Sequence, residues 1–156
     1  MKKVIAICFS LLIIQLSTEA QVDKRKKEFN TEKNALALNG YDPVAYFKQS
    51  KAVEGNKSFA LVYEGVSYYF SSQQNKELFK ANPTHYEPQY GGWCAYAMGA
   101  KGEKVEVDPE TFKITNDKLY LFYNKYFNNT LKSWNKDEAS LKAKADANWQ
   151  TIFNNK

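Results

Sequence analysis

Cysteine is almost missing from this chain. Two occur in 156 residues, Cys8 and Cys94. Cys8 lies in an apolar run at the N-terminus. A chain that loses that run keeps one thiol and can form no intramolecular disulfide. There is one histidine, His85, and one methionine besides the initiator, Met98. No Cys-x-x-Cys pair and no His-Glu-x-x-His occurs, which excludes the common dithiol and zinc-hydrolase motifs. Nor is there a glycine-rich phosphate loop or a Gly-x-Ser-x-Gly elbow, the marks of nucleotide binding and of many serine hydrolases. The chain also lacks internal repeats and low-complexity stretches.

What is present begins with an address. Lys2 and Lys3 precede an apolar run from Val4 to Leu16, broken only by Ser10 and Gln15. Ser17-Thr18-Glu19-Ala20 then offers small residues where a signal peptidase reads, with cleavage expected after Ala20. The competing reading is an uncleaved anchor, but the run is short of the roughly 20 residues a spanning helix needs. Cys8 sits near the start of the run, whereas a lipid-anchor cysteine ends it. The expectation is an exported protein, periplasmic or secreted, with a signal peptide at 1–20.

The remainder is the size of one ordinary domain, large enough to bury a real core. Removing Lys2, Lys3 and Glu19 takes the net charge from +5 to about +4. Lys24-Arg25-Lys26-Lys27 is the one basic run. It reads as a solvated tail rather than a nucleic-acid or lipid patch. Residues 21–34 are expected to be a flexible basic lead-in and 35–156 the folded domain. Aromatic residues make up 15% of the chain, which supplies the apolar area of that core.

Read in order, Asp42-Pro43 is a helix N-cap followed by proline at the first helical position, opening a short helix to about Gln49. Phe59, Leu61 and Tyr63 alternate, Glu64-Gly65 interrupts, and Val66, Tyr68 and Phe70 alternate again, which predicts a hairpin. Ser71-Ser72 caps a helix that Asn82-Pro83 stops. Trp93 to Gly99 reads as a short helix ended by Gly99 and Gly102. Lys104 to Val107 reads as a strand and Asp108-Pro109-Glu110 as a turn. Phe112 to Phe122 is a second hairpin bent at Asn116-Asp117. Tyr126 to Trp134 and Asp137 to Phe153 read as helices. The fold class is α+β: short antiparallel hairpins packed with helices, and a helical C-terminal tail.

Distinctive chemistry is concentrated between Asn82 and Met98. Cys94 and Met98 fall four apart, on one face of the expected helix. Thiolate and thioether are soft ligands that suit copper(I), and imidazole suits copper too. With His85 across the turn at Glu87-Pro88, the three form a candidate metal site. Against it stands ordinary packing, since free cysteine is among the most buried residue types and methionine fills core gaps. A Cys-His nucleophile pair is a further possibility, but nothing in the sequence supplies an orienting group or an oxyanion hole. No catalytic residue is assigned.

Three segments resemble a known family. They are Asn39-Gly40-Tyr41-Asp42-Pro43-Val44-Ala45-Tyr46-Phe47, then Tyr68-Tyr69-Phe70-Ser71-Ser72 through Phe79 and Asn82-Pro83-Thr84-His85-Tyr86, then Tyr90-Gly91-Gly92-Trp93-Cys94-Ala95-Tyr96-Ala97. Together they resemble the exported, single-domain branch of the YHS-domain family. Asp108-Pro109-Glu110, Lys118-Leu119-Tyr120-Leu121 and the tail around Trp149 are similar to it as well. In metal-transporting ATPases and related proteins the YHS module is linked to copper or other soft metals, so the resemblance implies the fold and an expectation of metal. The cysteines of compact family members correspond here to Tyr41, Ala45 and Ser71-Ser72, so that ligand set does not carry over.

The reading is an exported binding module with a transition metal, copper first, around Cys94, Met98 and His85. The alternative is a structural or protein-interaction domain in which Cys94 is packed, and a thiol-dependent enzyme comes third. Nucleic acid is not an expected partner, and no transmembrane segment is expected after cleavage.

Overall fold

The computed structural model describes residues 19–154. The apolar run expected to be a leader lies outside them. No helix among the described residues is long and apolar enough to cross a membrane.

The first strands form where the alternation predicts them. β1 (Asn56–Tyr63) pairs antiparallel with β2 (Val66–Phe70), in the register Leu61↔Tyr68 and Tyr63↔Val66. Val66, Tyr68 and Phe70 are wholly buried, because residues two apart share a sheet face. A second hairpin pairs β3 (Asp108–Thr115) with β4 (Lys118–Phe122). A third and very short one pairs β5 (Asn124–Lys125) with β6 (Asn128–Asn129).

Helices cover these hairpins. The first, α1, occupies residues 19–28. α2 (Pro43–Gln49) starts at the expected cap, where Asp42 Oδ1 accepts the amides of Val44 at 2.8 Å and Ala45 at 3.3 Å. α3 (Gln73–Ala81) starts at Ser72, whose hydroxyl accepts the Asn75 amide at 3.1 Å. It is followed by the single turn α4 (Pro83–Tyr86). α5 (Ala95–Lys101) ends at Gly102 in the left-handed conformation. α6 (Thr130–Trp134) and α7 (Glu138–Asn154) complete the described chain. The architecture is α+β, as expected.

Three details differ from the sequence reading. Residues 103–107 are irregular, and the strand starts at Asp108 instead of turning there. Tyr126 and Phe127 do not enter a helix. Both have positive φ, 52° and 62°, and form the tip of the third hairpin, so the helix waits until Thr130. The basic run lies on a helix that extends through residue 28. Arg25 is the only arginine in the sequence and is 7% exposed, while Lys26 and Lys27 are exposed. One face of a polar helix therefore anchors the N-terminal segment to the domain.

The core has two parts with β4 between them. Leu119 and Leu121 belong to a cluster with Val44, Tyr46, Phe70 and Phe79. Tyr120 and Phe122 belong to a cluster with Trp134, Leu141 and Ala145. All four strand residues are at most 1% exposed. A strand buried on both faces reads as a continuous apolar run and not as alternation.

Candidate functional site

Cys94 is the N-cap residue of α5 and is wholly buried. Its backbone pairs with Leu121 of β4, and its amide donates to Val105 O at 3.0 Å. The sulfur has two polar neighbours. It accepts the Tyr123 amide at 3.4 Å and lies 3.4 Å from Thr130 Oγ1. The Thr130 hydroxyl donates its proton to Tyr123 O at 2.9 Å. A hydroxyl has one proton to give, so the Cys94 thiol is the donor toward Thr130. The thiol is thus both donor and acceptor within the core.

Met98 follows one helical turn later, and its amide donates to Cys94 O at 3.0 Å. The side chains nevertheless part. Cys94 belongs with Leu119 and Leu121, whereas Met98 belongs with Tyr120, Phe122 and Trp134. The shared-face argument holds only for residues inside a helix. Cys94 stands outside it, at φ −58° and ψ 115°.

His85 sits on α4, against the Phe47 ring at 4.9 Å and the Tyr86 ring at 4.5 Å. Its Nδ1 lies 3.2 Å from Asp117 Oδ2, at the bend of the β3–β4 hairpin. The three expected ligands therefore occupy three different surroundings. No group of three or more His, Cys, Asp and Glu side chains suited to a metal ion occurs among the described residues. The positions of the family's cysteines fare no better as soft donors. Ala45 is buried core, and Ser71 Oγ donates to Asp42 Oδ2 at 2.6 Å.

Of the Gly-Gly pair before Cys94, Gly91 is required by packing and Gly92 by its backbone, at φ +86°. Gly91 has φ +60°, and a Cβ there would come within 2.8 Å of Trp149 and 2.9 Å of Phe29. Glycine alone meets both demands without strain. The neighbouring Tyr90 hydroxyl donates to Asp146 Oδ1 of α7 at 2.8 Å. Burial first, and then the Asp146 carboxylate, push the Tyr90 phenol well above its ordinary range. The motif thus locks α1 and α7 to the sheet.

Two polar constellations escaped the sequence reading. Asp42 is wholly buried, and beyond its cap bonds its Oδ2 accepts the Ser71 amide at 2.8 Å, the Ser71 hydroxyl, and Asn75 Nδ2 at 2.7 Å. One carboxylate so fastens α2 to the start of α3. The second centres on Glu87, which accepts from Arg25 Nη2 and from the Tyr68 hydroxyl at 2.5 Å. The guanidinium also lies over the Phe29 ring at 4.4 Å. Burial, with the Glu87 charge next, raises the Tyr68 phenol far above its usual value. The one available signal was the lone arginine among lysines, since a planar fork suits buried ion pairs better than an ammonium does.

Two cavities border this region. One of about 410 Å³ is lined by Phe29, Glu87, Tyr90, Lys118, Asp146 and Trp149, among others. A smaller one of about 230 Å³ is lined by Cys94, Tyr96, Val105, Tyr123, Asn128 and Thr130, among others.

Residues 44–90 match the family model described as the YHS domain. The match spans α2 through the turn after α4 and includes His85, while Cys94 and Met98 lie beyond it. No curated protein and no solved structure matches the chain.

Proposed function

We propose, from the match of residues 44–90 to the YHS-domain family model and from the geometry around the sulfur, that the protein is an exported, non-enzymatic interaction module in which Cys94 is a structural thiol. The observation that carries this reading is the hydrogen bonding of the sulfur. It donates to Thr130 Oγ1 and accepts from the Tyr123 amide, in a wholly buried position. A buried sulfur with both of its hydrogen-bonding neighbours in place reads as a packed core group rather than as a poised ligand or nucleophile. His85, the base that a thiol enzyme would use, is engaged with Asp117 instead. The surface of an interaction module should display large apolar side chains. Tyr126 and Phe127 do so, at 89% and 111% exposure.

Copper binding at Cys94 is the second reading. It is favoured by the 230 Å³ cavity that Cys94 lines, through which a soft ion would reach the sulfur. Neither Met98 nor His85 shares that cavity's lining, so such a site would rest on Cys94 alone among the three expected ligands.

A copper(I) competition titration under reducing conditions separates the two, using residues 21–156 beside Cys94→Ser. The interaction reading expects no stoichiometric copper. It expects Cys94→Ser to lose about 1–3 kcal/mol of stability, the cost of leaving buried polar groups poorly paired. Stoichiometric copper(I) that the variant loses would overturn it and install the second reading.

A further inference from the structure

The three hairpins of this fold make the same kind of turn. In each, both central residues have positive φ: Glu64-Gly65 at 43° and 81°, Asn116-Asp117 at 50° and 58°, and Tyr126-Phe127 at 52° and 62°. Positive φ at both positions marks the type I′ turn, which strongly prefers Asn, Asp and Gly. Two of the hairpins use those residues at one or both positions. The third uses two aromatics, in a conformation that a side chain bearing a Cβ disfavours. Asn128 and Asn129, residues suited to such a turn, lie immediately beyond it.

Among the described residues neither ring joins a core cluster. Tyr126 and Phe127 are the most exposed large apolar residues among those described, and the next, Val62, lies on β1. Strain kept where the fold gains nothing from it points outward, to a function.

The charge around the tip states the chemistry of the partner. From Asn124 to Lys132 the sequence holds two lysines and no acidic residue. Lys125 adjoins the tip, Lys132 follows on α6, and both are exposed. Across the small cavity, Glu103 lies 4.0 Å from Lys101, so its charge is offset locally. On the side of β3, Asp108 is already engaged, accepting the Asn124 side-chain amide at 3.4 Å and the Thr111 hydroxyl at 2.8 Å, so an aromatic tip with two exposed lysines close to it in the chain fits the interface of an anionic bilayer. Amphipathic aromatic rings settle at headgroup level, and lysines are attracted to the negative surface.

We propose that the Tyr126-Phe127 hairpin tip is a membrane-interface anchor that inserts its two rings among anionic lipid headgroups, with Lys125 and Lys132 in contact with the phosphates. This rests on the interaction-module reading and names its partner. One apolar insertion gives weak, reversible binding, and the two lysines are the second signal that makes it useful.

The test is co-sedimentation of residues 21–156, which contain nearly all of the described fold without the N-terminal apolar run. Vesicles of phosphatidylcholine with 30% phosphatidylglycerol, about a third anionic lipid, are compared with phosphatidylcholine alone. The expected result is binding to the anionic vesicles that weakens with salt. Tyr126→Asn with Phe127→Gly should lose about tenfold or more in affinity, while its melting temperature holds or rises because the turn becomes a favoured one. Lys125→Gln with Lys132→Gln should lose a similar factor, at about fivefold per lysine. The proposal is overturned if the turn variant binds like the wild type, or if the wild type ignores anionic vesicles. It is equally overturned if sedimentation reveals a dimer that the turn variant abolishes, for then a second copy covers the tip. The copper titration is unaffected by these outcomes, so the parent reading stands or falls separately.

Discussion

Gly99→Ala sets two known effects against each other at one atom. Gly99 lies inside α5, a helix whose backbone there is ordinary. In an exposed helix the change to alanine would stabilise by about 1 kcal/mol, from backbone entropy alone. Here a Cβ would sit 2.4 Å from the Leu141 carbonyl oxygen and 3.0 Å from its carbon, where ordinary contact begins at 3.4 Å. The obstacle is backbone of α7 and cannot swing aside as a side chain tip would. α7 must retreat by about 1 Å, and a gap of that size forfeits a quarter to a half of each contact it opens. Those contacts involve Met98, Leu141 and Ala145, and the Asn148 amide that donates to Met98 O at 2.8 Å. Overpacking of this kind costs about 1–3 kcal/mol, and the loosened α7 contacts add to it. The net expectation is a loss of about 1–2 kcal/mol, or roughly 3–10 °C in melting temperature. Urea and thermal unfolding would measure it, with exposed Ala100→Gly as the control for propensity alone. A Gly99→Ala protein as stable as the wild type, or more so, would refute the close α5–α7 approach.

Two further outcomes follow from buried polar groups. Asp42→Ala removes the acceptor of three amides, one hydroxyl and one side-chain amide. With the cap lost and buried donors left unpaired, the cost is about 3–5 kcal/mol in urea unfolding, and a loss under about 1 kcal/mol would contradict the network. In alkali, Tyr46, Tyr68 and Tyr90 all have phenols raised above the ordinary 10.0, by burial first. The folded form keeps their protons where the unfolded form gives them up. Their stabilisation is therefore complete below about pH 10 and declines as pH rises past it. Phenolate absorbance should show these three ionising only as near-ultraviolet circular dichroism collapses. Their titration in a still-folded protein would sink the assignment.

Local signals carried most of the fold. The Asp42-Pro43 start, the Ser72 cap, the Glu64-Gly65 and Asn116-Asp117 bends and the stop at Pro83 are decided within a few residues of chain, and each stands where the sequence places it. What was hidden depends on distance. Arg25 and Glu87 are 62 residues apart, and no local pattern joins them. Gly99 reads as a helix stop because glycine usually is one. Here it continues the helix, and its missing side chain admits Leu141 of α7. A glycine's meaning is set by the element that approaches it, which sequence alone does not supply.

Cys94 and Met98 are set apart for a more specific reason. The four-residue spacing of Cys94 and Met98 faces both sulfurs one way only if the helix begins before Cys94. It begins after it. Trp93 is extended, at ψ 161°, and Cys94 keeps a non-helical backbone, at ψ 115°, to bridge Leu121. That bridge places the thiol on the Leu119–Leu121 side of β4. The helix then carries Met98 to the Tyr120–Phe122 side. A strand buried on both faces is what divides them, and its run of Leu-Tyr-Leu-Phe is visible in the sequence as apolar residues without alternation. Read that way, β4 already implies two core compartments, and two rare sulfur residues beside it need not share one. The same logic separates Tyr126 and Phe127 from the core aromatics. They sit at a turn whose geometry calls for Asn or Gly, and they remain in solvent. Of all the aromatic residues in this domain, that pair has the weakest structural reason to be aromatic and the strongest reason to meet a partner.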